Sequence, residues 1–235
     1  MYTKPYLIER FLTNQHNALQ VGTLFHLFND IMERNANSYG ASAEYHLERD
    51  LAWVLAQYEV TIYQWPKADT HVTVGTIPYS FKRMMGYRKY EMRNNKGDLL
   101  MEGKGKFLLI NIKTKAMVKP DASLLDKFTD AKKEPMALDF EKIRPKEQKH
   151  MFTLKRLITK KHIDVNAHMN NAYYLEIASE YLTIETEQIK KINVTYKQEA
   201  KEHDQITLNY YSVKDGIYVE MLREDTVLSQ ILFSY

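Results

Sequence analysis

The amino-acid sequence predicts an α+β fold whose strands are mainly antiparallel. Long runs of alternating polar and apolar residues predict strands, and two stretches with apolar residues at helical spacing predict helices. The same order of elements occurs in both halves of the chain. The 235 residues are enough for one large domain or two small ones. Hydrophobic residues make up 44% and charged residues 27%, a balance typical of a globular protein with a sizeable core.

The first half reads as a strand, a helix and then several strands. Residues 2–12 alternate as a strand does, and apolar residues between positions 22 and 39 follow helical spacing. Asn-Asn-Lys-Gly at 94–97 predicts a hairpin turn, because Asn and Gly accept positive φ. The strands of this half are predicted at residues 53–65, 72–77, 84–93 and 99–113.

A charged connector separates this half from the next. Residues 120–150 hold three of the six prolines (Pro120, Pro135 and Pro145), and Pro interrupts both helices and strand ladders. Short helical pieces are expected around 122–128. The chain therefore divides into an N-terminal half (1–119), the connector (120–150) and a C-terminal half (151–235).

The second half repeats the pattern of the first. A strand at 151–158 and a helix at 169–186 precede strands at 189–198, 205–213, 217–223 and 227–235. At an offset of 134, residues 60–67 superpose without a gap on residues 194–201, and Val, Thr, Gln and Lys coincide. We interpret this match as an internal repeat.

Composition excludes several classes of function. A net charge of +3 is too small to argue for nucleic-acid binding. The chain has no cysteine, so disulfides, thiolate metal sites and cysteine nucleophiles are ruled out. No apolar run reaches the roughly 18 residues of a membrane span, and the first twelve residues carry three charges, unlike a signal peptide. We therefore expect a cytoplasmic protein.

The densest polar cluster lies where a strand ends and the second helix begins. Asp164, Asn166 and His168 occupy alternate positions, which share one side of an extended segment. A helix N-terminus beside them offers free N–H groups and partial positive charge to a developing oxyanion. The cluster predicts a site for acyl chemistry, with a polar loop that only caps the helix as the alternative.

Glu199 follows the next strand and strengthens this interpretation. At the offset of 134 its counterpart is Trp65, and the loop before the first helix lacks the Asp-x-Asn-x-His order. This asymmetry predicts a single active site, although Glu199 alone could be a solvated strand-end carboxylate. The histidines at 162, 168 and 203 match no metal-binding spacing, so no metal is predicted.

Three blocks carry a resemblance to a known family. Residues 162–174 (HIDVNAHMNNAYY) resemble the signature of the acyl-acyl-carrier-protein thioesterases of plant plastids and their bacterial relatives. Residues 196–200 (YKQEA) look like the second block of that family, and WVL at 53–55 with IYQWP at 62–66 is similar to its first-half pattern. The resemblance implies a double hotdog fold, with two antiparallel sheets each wrapped around a long helix.

The resemblance also implies an activity, the hydrolysis of fatty acyl-acyl-carrier-protein, which releases a free fatty acid and terminates fatty-acid synthesis. By position, Asp164, Asn166, His168 and Glu199 match the catalytic set of the family, and no cofactor is implied. Plant members place a cysteine after the Glu, but this chain has Ala200 there, so a thiol nucleophile is not expected. We hypothesise attack by water or by a carboxylate. His168 and an amide at the helix start polarise the thioester carbonyl, Asn166 holds water or substrate, and either Asp164 or Glu199 is the base, with direct attack by Asp164 as the alternative.

The substrate has an acyl chain and a carrier protein. We expect the N-terminal half to bind the chain, in a tunnel lined by Leu24, Phe25, Phe28 and Met32. Acyl carrier protein is acidic, so two basic clusters are candidate docking surfaces: Lys82, Arg83, Arg88 and Lys89, and Lys155, Arg156, Lys160 and Lys161. An acyl-CoA thioesterase, a hotdog dehydratase and a non-catalytic acyl-binding module remain alternatives. Both a monomer and a homodimer are compatible with the sequence.

Overall fold

A computed structural model describes residues 1–128, 139–143 and 145–235. The strands in these residues are β1 (Tyr2–Ile8), β2 (Leu51–Ile62), β3 (Thr70–Lys82), β4 (Met85–Asn94), β5 (Leu99–Asn111), β6 (Lys149–Leu157), β7 (Lys191–Tyr196), β8 (Gln205–Val213), β9 (Gly216–Arg223) and β10 (Thr226–Ser234). The α-helices are α1 (Val21–Ser38), α2 (Ala43–Leu47), α3 (Ala122–Asp126) and α4 (Asn171–Ser179).

The strands form one continuous antiparallel sheet in the order β1-β3-β4-β5-β2-β7-β10-β9-β8-β6. The first five strands in this order belong to the first half of the chain and the last five to the second. The two halves meet where β2 pairs with β7, with Glu59 opposite Asn193. The predicted α+β fold with antiparallel strands is therefore confirmed, and its two sheets are joined edge to edge.

The internal repeat is visible in the backbone. Leu19 donates its N–H to the carbonyl of Pro66, and Met169 donates its N–H to the carbonyl of Ala200. Residue 200 corresponds to 66 at the offset of 134 found in the sequence, whereas 169 corresponds to 19 at an offset of 150. The two offsets differ because the first half has 16 more residues between these positions, where α1 is twice as long as α4 and α2 follows it. The same partners thus recur in both halves.

The core lies between the helices and the concave face of the sheet. The buried residues of α1 recur every three or four positions, as an amphipathic helix requires. Phe28 stacks on Tyr90 of β4 with ring centroids 4.7 Å apart. Buried side chains from both halves form one apolar cluster, which contains Val60 of β2 and Ile192 of β7.

Some predicted boundaries differ from those observed. The second helix was expected over 169–186 but ends at Ser179, before a segment rich in β-branched residues that are poor helix formers. The sequence interpretation missed α2, whose first turn is capped by the Ser42 hydroxyl accepting the Tyr45 N–H. α3 lies within the helical piece expected at 122–128. Pro135 and the rest of the connector at 129–138 and 144 lie outside the described residues, and the proposed domain boundaries stay predictions.

Candidate active site

The loop between β6 and α4 is a closed turn. Asp164 Oδ1 accepts the N–H of Asn166 at 2.8 Å and that of His168 at 3.4 Å, and the Asp164 N–H donates to the His168 carbonyl at 2.8 Å. Ala167 has a φ of 61°, in the left-handed region. The expectation of an extended segment with alternate side chains on one side is therefore wrong. The turn, closed by one carboxylate oxygen, brings these residues together instead.

His168 and Glu199 form a pair beside this turn. His168 Nε2 lies 3.0 Å from Glu199 Oε2. The Met169 N–H donates to the carbonyl of Ala200 at 2.8 Å, so the turn is held against the segment that follows β7. The two side chains are 24% and 46% exposed, which places the pair at the protein surface. A carboxylate at this distance accepts a hydrogen bond from Nε2 and orients the imidazole ring.

A cavity of about 480 Å³ opens next to the turn. It lies between α1 and the first-half sheet, and Asp164 and Asn166 belong to its lining. His168 and Glu199 are not part of that lining. The four predicted residues therefore form two neighbouring groups, one facing the cavity and one at the surface.

The cavity walls contain both apolar and polar side chains, and only one of the four predicted tunnel residues contributes to them. Met32 lines the cavity, whereas Leu24, Phe25 and Phe28 are buried in the core. Large aromatic side chains supply much of the remaining wall: Trp53, Phe81, Phe107 and Phe128.

The sequence interpretation missed a row of polar residues on α1. Asn29, Glu33 and Asn37 all line the cavity, and their spacing of four residues places them on one face of the helix. Asn29 donates to Asn170 Oδ1 at 3.4 Å, and Asn170 caps α4 by accepting the Ala172 N–H. Burial raises the pKa of Glu33, and the negative charges of neighbouring carboxylates, including Asp164, raise it further. In the sequence, polar residues at every fourth position of an otherwise amphipathic helix could have indicated this row.

One of the two basic clusters is smaller than predicted. Arg88 is only 7% exposed and lines the cavity, so its assignment to a docking surface is wrong. Lys89 forms an ion pair with Glu91 at 2.8 Å. In the second cluster, Lys161 and Arg156 approach Glu176 and Glu180, each at 3.4 Å, and both basic side chains remain largely exposed.

The equivalent loop in the first half has the same turn but different side chains. Asn14 Oδ1 accepts the N–H groups of His16 and Ala18 at 2.9 and 3.0 Å, as Asp164 Oδ1 does for Asn166 and His168. Trp65 takes the place of Glu199 and donates from Nε1 to the carbonyl of Ile189. The acid, amide and imidazole therefore occur together in only one of these two loops.

Position 200, where plant relatives are expected to carry a cysteine, is buried in this protein. Ala200 is fully buried in the core, and its N–H donates to the Tyr174 hydroxyl at 2.9 Å.

Among residues 1–128, 139–143 and 145–235, no group of three His, Asp or Glu side chains could hold a metal ion. Within the same residues, no helix is long and apolar enough to cross a membrane.

Solved structures with the same architecture define the fold. An acyl-ACP thioesterase from Bacteroides thetaiotaomicron superposes with a TM-score of 0.85 at 19% identity, covering 99% of this chain and 96% of its own. A 12:0-ACP thioesterase from Umbellularia californica superposes with a TM-score of 0.83 at 14% identity, covering 99% and 96%. Together with the two joined halves, these similarities confirm the double hotdog fold.

Family models then identify the chain more narrowly. Residues 1–128 match the N-terminal domain of acyl-ACP thioesterases, and residues 145–228 match the C-terminal domain. The chain belongs to the acyl-ACP thioesterase family. A palmitoyl-acyl carrier protein thioesterase, chloroplastic, from Cuphea hookeriana is 26% identical over 78% of this chain and 46% of its own length. The chain spans less than half the length of the curated plant relatives it matches.

Proposed function

We propose that this protein hydrolyses the thioester of fatty acyl-acyl-carrier-protein and releases a free fatty acid, the reaction that terminates fatty-acid synthesis. The observation that carries the proposal is the position of Asp164 and Asn166 at a cavity with several aromatic side chains in its walls, beside the surface pair of His168 and Glu199. An acyl chain fits the cavity, while its carrier stays in solvent. Membership of the acyl-ACP thioesterase family supports the choice of substrate.

In this arrangement the thioester lies where the cavity meets the surface. Of the two candidate bases, Asp164 and Glu199, Asp164 is the one that lines the cavity, so we assign it the role of base. Water adds to the carbonyl carbon and gives a proton to Asp164, and the tetrahedral intermediate collapses with cleavage of the C–S bond. That proton then passes to the departing sulfur, so the products are a fatty acid and a thiol.

The other three residues act around this step. The side-chain amide of Asn166 binds the attacking water or the thioester oxygen. With a proton on each ring nitrogen, His168 donates one hydrogen bond from Nδ1 to the developing oxyanion and one from Nε2 to Glu199, 3.0 Å away. The Glu199 carboxylate then stabilises the positive charge of the ring. No cofactor enters the scheme.

Asp164→Asn tests the assignment without disturbing the turn. Asn14 forms the same turn with an amide, so the variant is expected to fold normally. Loss of a general base should lower kcat by about 100- to 10,000-fold. Thiol release from acyl-acyl-carrier-protein of several chain lengths is the measurement, and the protein has no thiol of its own to add background.

A matched pair of variants gives the control. Asn166→Ala should lower kcat, whereas His16→Ala, at the equivalent position of the first-half loop, should leave it unchanged. Nearly normal kcat in a folded Asp164→Asn protein would refute the proposed site. Hydrolysis of acyl-CoA in preference to acyl-acyl-carrier-protein would refute the proposed carrier.

The cytoplasmic location rests on the cysteine-free composition and stays a prediction. Cell fractionation would test it.

A further inference from the structure

We propose that Arg88 binds an acceptor oxygen at the far end of the acyl chain and selects chains that end in a carboxylate. The proposal rests on the proposed function, since such a chain would enter the cavity as an acyl thioester. The observation behind it is a buried guanidinium that faces this cavity and has only uncharged hydrogen-bond partners.

Arg88 points inward from β4. Gly86, Arg88 and Tyr90 alternate on one face of the strand, and Tyr90 stacks on Phe28 of α1, so this face is the concave one. Arg88 and Gly86 both line the cavity. With 7% of its surface exposed, Arg88 contacts the cavity rather than bulk solvent.

The hydrogen bonds that the protein forms with Arg88 compensate its positive charge only in part. Arg88 Nη1 donates to Asn35 Oδ1 at 2.7 Å and to Thr76 Oγ1 at 3.3 Å. A guanidinium has five N–H donors, and Nη1 carries two of them. In the part of the chain that the structure describes, no carboxylate forms an ion pair with Arg88. Burial lowers the pKa of Arg88, but an arginine remains charged in proteins.

A carboxylate on the ligand would supply the negative charge that the surroundings of Arg88 lack. A buried charge is costly unless an opposite charge and hydrogen bonds compensate for it. The planar guanidinium binds a carboxylate through two parallel hydrogen bonds, which a terminal methyl group cannot replace. Ordinary fatty acyl chains would therefore leave the charge uncompensated, whereas an ω-carboxyacyl chain would pair with it.

The separation of Asn29 and Asn35 along α1 indicates the length of the acyl chain that would reach Arg88. Asn29 contacts Asn170 at the start of α4, and Asn35, the partner of Arg88, lies six residues further along α1, which corresponds to about 9 Å. An extended chain advances about 1.2 Å per bond, so about seven or eight bonds span that distance. We expect ω-carboxyacyl chains of about eight to ten carbons to fit best.

The direct test compares two thioesters of equal length. Decanoyl-acyl-carrier-protein and ω-carboxynonanoyl-acyl-carrier-protein differ only in the terminal group, and the wild-type protein should give the higher kcat/KM with the second. Arg88→Met should lower kcat/KM for the carboxylate substrate by about 30-fold or more and change that for the decanoyl substrate much less. A wild-type preference for the decanoyl substrate, unchanged in Arg88→Met, would overturn the proposal.

Asn35→Asp gives a second variant that keeps Arg88 in place. The new carboxylate would lie next to the guanidinium and compensate its charge from within the protein. We expect this variant to fold at least as stably as the wild type and to lose the preference for ω-carboxyacyl chains. Retention of the full preference in Asn35→Asp would contradict the proposal, and this test holds even where Arg88→Met does not fold.

Binding of free acids separates this inference from the proposed function. Sebacic acid should raise the unfolding temperature of the wild-type protein more than decanoic acid does, and Asn35→Asp should remove the difference. Such binding without hydrolysis of any thioester would refute the proposed function and support the role of Arg88. Hydrolysis of decanoyl thioesters with equal effects of the two acids would refute the role of Arg88 alone.

Discussion

Asp164 has a structural role in its turn, and comparison of the two loops separates this role from the chemical role that we propose for it. One oxygen of Asp164 closes the turn, and Asn14 closes the equivalent turn with an amide oxygen. The turn thus needs an acceptor at this position but not a negative charge. The carboxylate at 164 is the part of the residue available for chemistry, which is why Asp164→Asn is an informative variant.

Position 200 illustrates how burial limits chemistry. The methyl group of Ala200 lies in the core, and we predict that a thiol introduced there by Ala200→Cys is unreactive, because burial in apolar surroundings disfavours the thiolate. Labelling with a thiol reagent should be far slower in the native protein than in denaturant. Thioester hydrolysis should stay within about threefold of wild type, since the substitution adds a single small atom.

Leu157→Cys serves as the labelling control, because Leu157 is about half exposed at the end of β6. The chain has no other cysteine, so each variant reports on one thiol. Rapid labelling of Ala200→Cys in the native state would show that the side chain at 200 reaches the solvent or the cavity.

For the four candidate site residues, the structure tests the predicted arrangement, whereas their catalytic roles stay a prediction. Asp164, Asn166 and His168 stand out because polar residues of these types cluster between apolar elements, but the turn depends on a positive φ at Ala167, a residue type that gives no sign of it. The sequence analysis assigned Arg88 to an exposed docking surface because other basic residues lie next to it in the chain. Its alternation with Gly86 and Tyr90 on β4 was the signal of an inward position.

At the scale of elements, the loop between β6 and α4 carries local strain that its counterpart in the first half avoids. Ala167 has a φ of 61°, and the equivalent Asn17 has a φ of 59°. Asn tolerates this region better than Ala does, so we predict that Ala167→Asn raises the free energy of unfolding by up to about 1 kcal/mol. Urea unfolding measures the change.

The reverse substitution in the other loop is the matched control. Asn17→Ala should lower the free energy of unfolding by a similar amount. A destabilising Ala167→Asn together with a neutral Asn17→Ala would mean that contacts elsewhere in the loops outweigh the backbone preference.

The limits of most strands were predictable to within a few residues, although β1 ends four residues before and β3 five residues after the predicted position. The assembly of the strands was not predictable. Alternation locates β4 and β8 to within a residue or two, because one face of each strand is buried. The pairing of β2 with β7 joins residues more than 120 positions apart, and no local pattern encodes such a pairing. The early end of α4 also escaped prediction, since apolar residues with helical spacing continue beyond Ser179.

For the whole molecule, the continuous sheet makes the two halves one structural unit. β2 and β7 exchange backbone hydrogen bonds at the junction, and the apolar cluster contains side chains from both halves. Separation of the halves would expose the edges of both strands and part of this cluster. The predicted division into a chain-binding half and a catalytic half therefore does not imply two independent folding units.

We accordingly predict a single unfolding transition. Both tryptophans, Trp53 and Trp65, lie in the first half, so their fluorescence should report the same midpoint as far-ultraviolet circular dichroism, which follows both halves. Ile192→Ala, in the second half, removes a fully buried side chain and should destabilise the protein by about 2–5 kcal/mol. The tryptophan midpoint should fall with it, whereas the exposed Lys214→Ala should have no effect. A tryptophan midpoint that stays unchanged in Ile192→Ala would show that the halves unfold separately, in spite of the shared sheet.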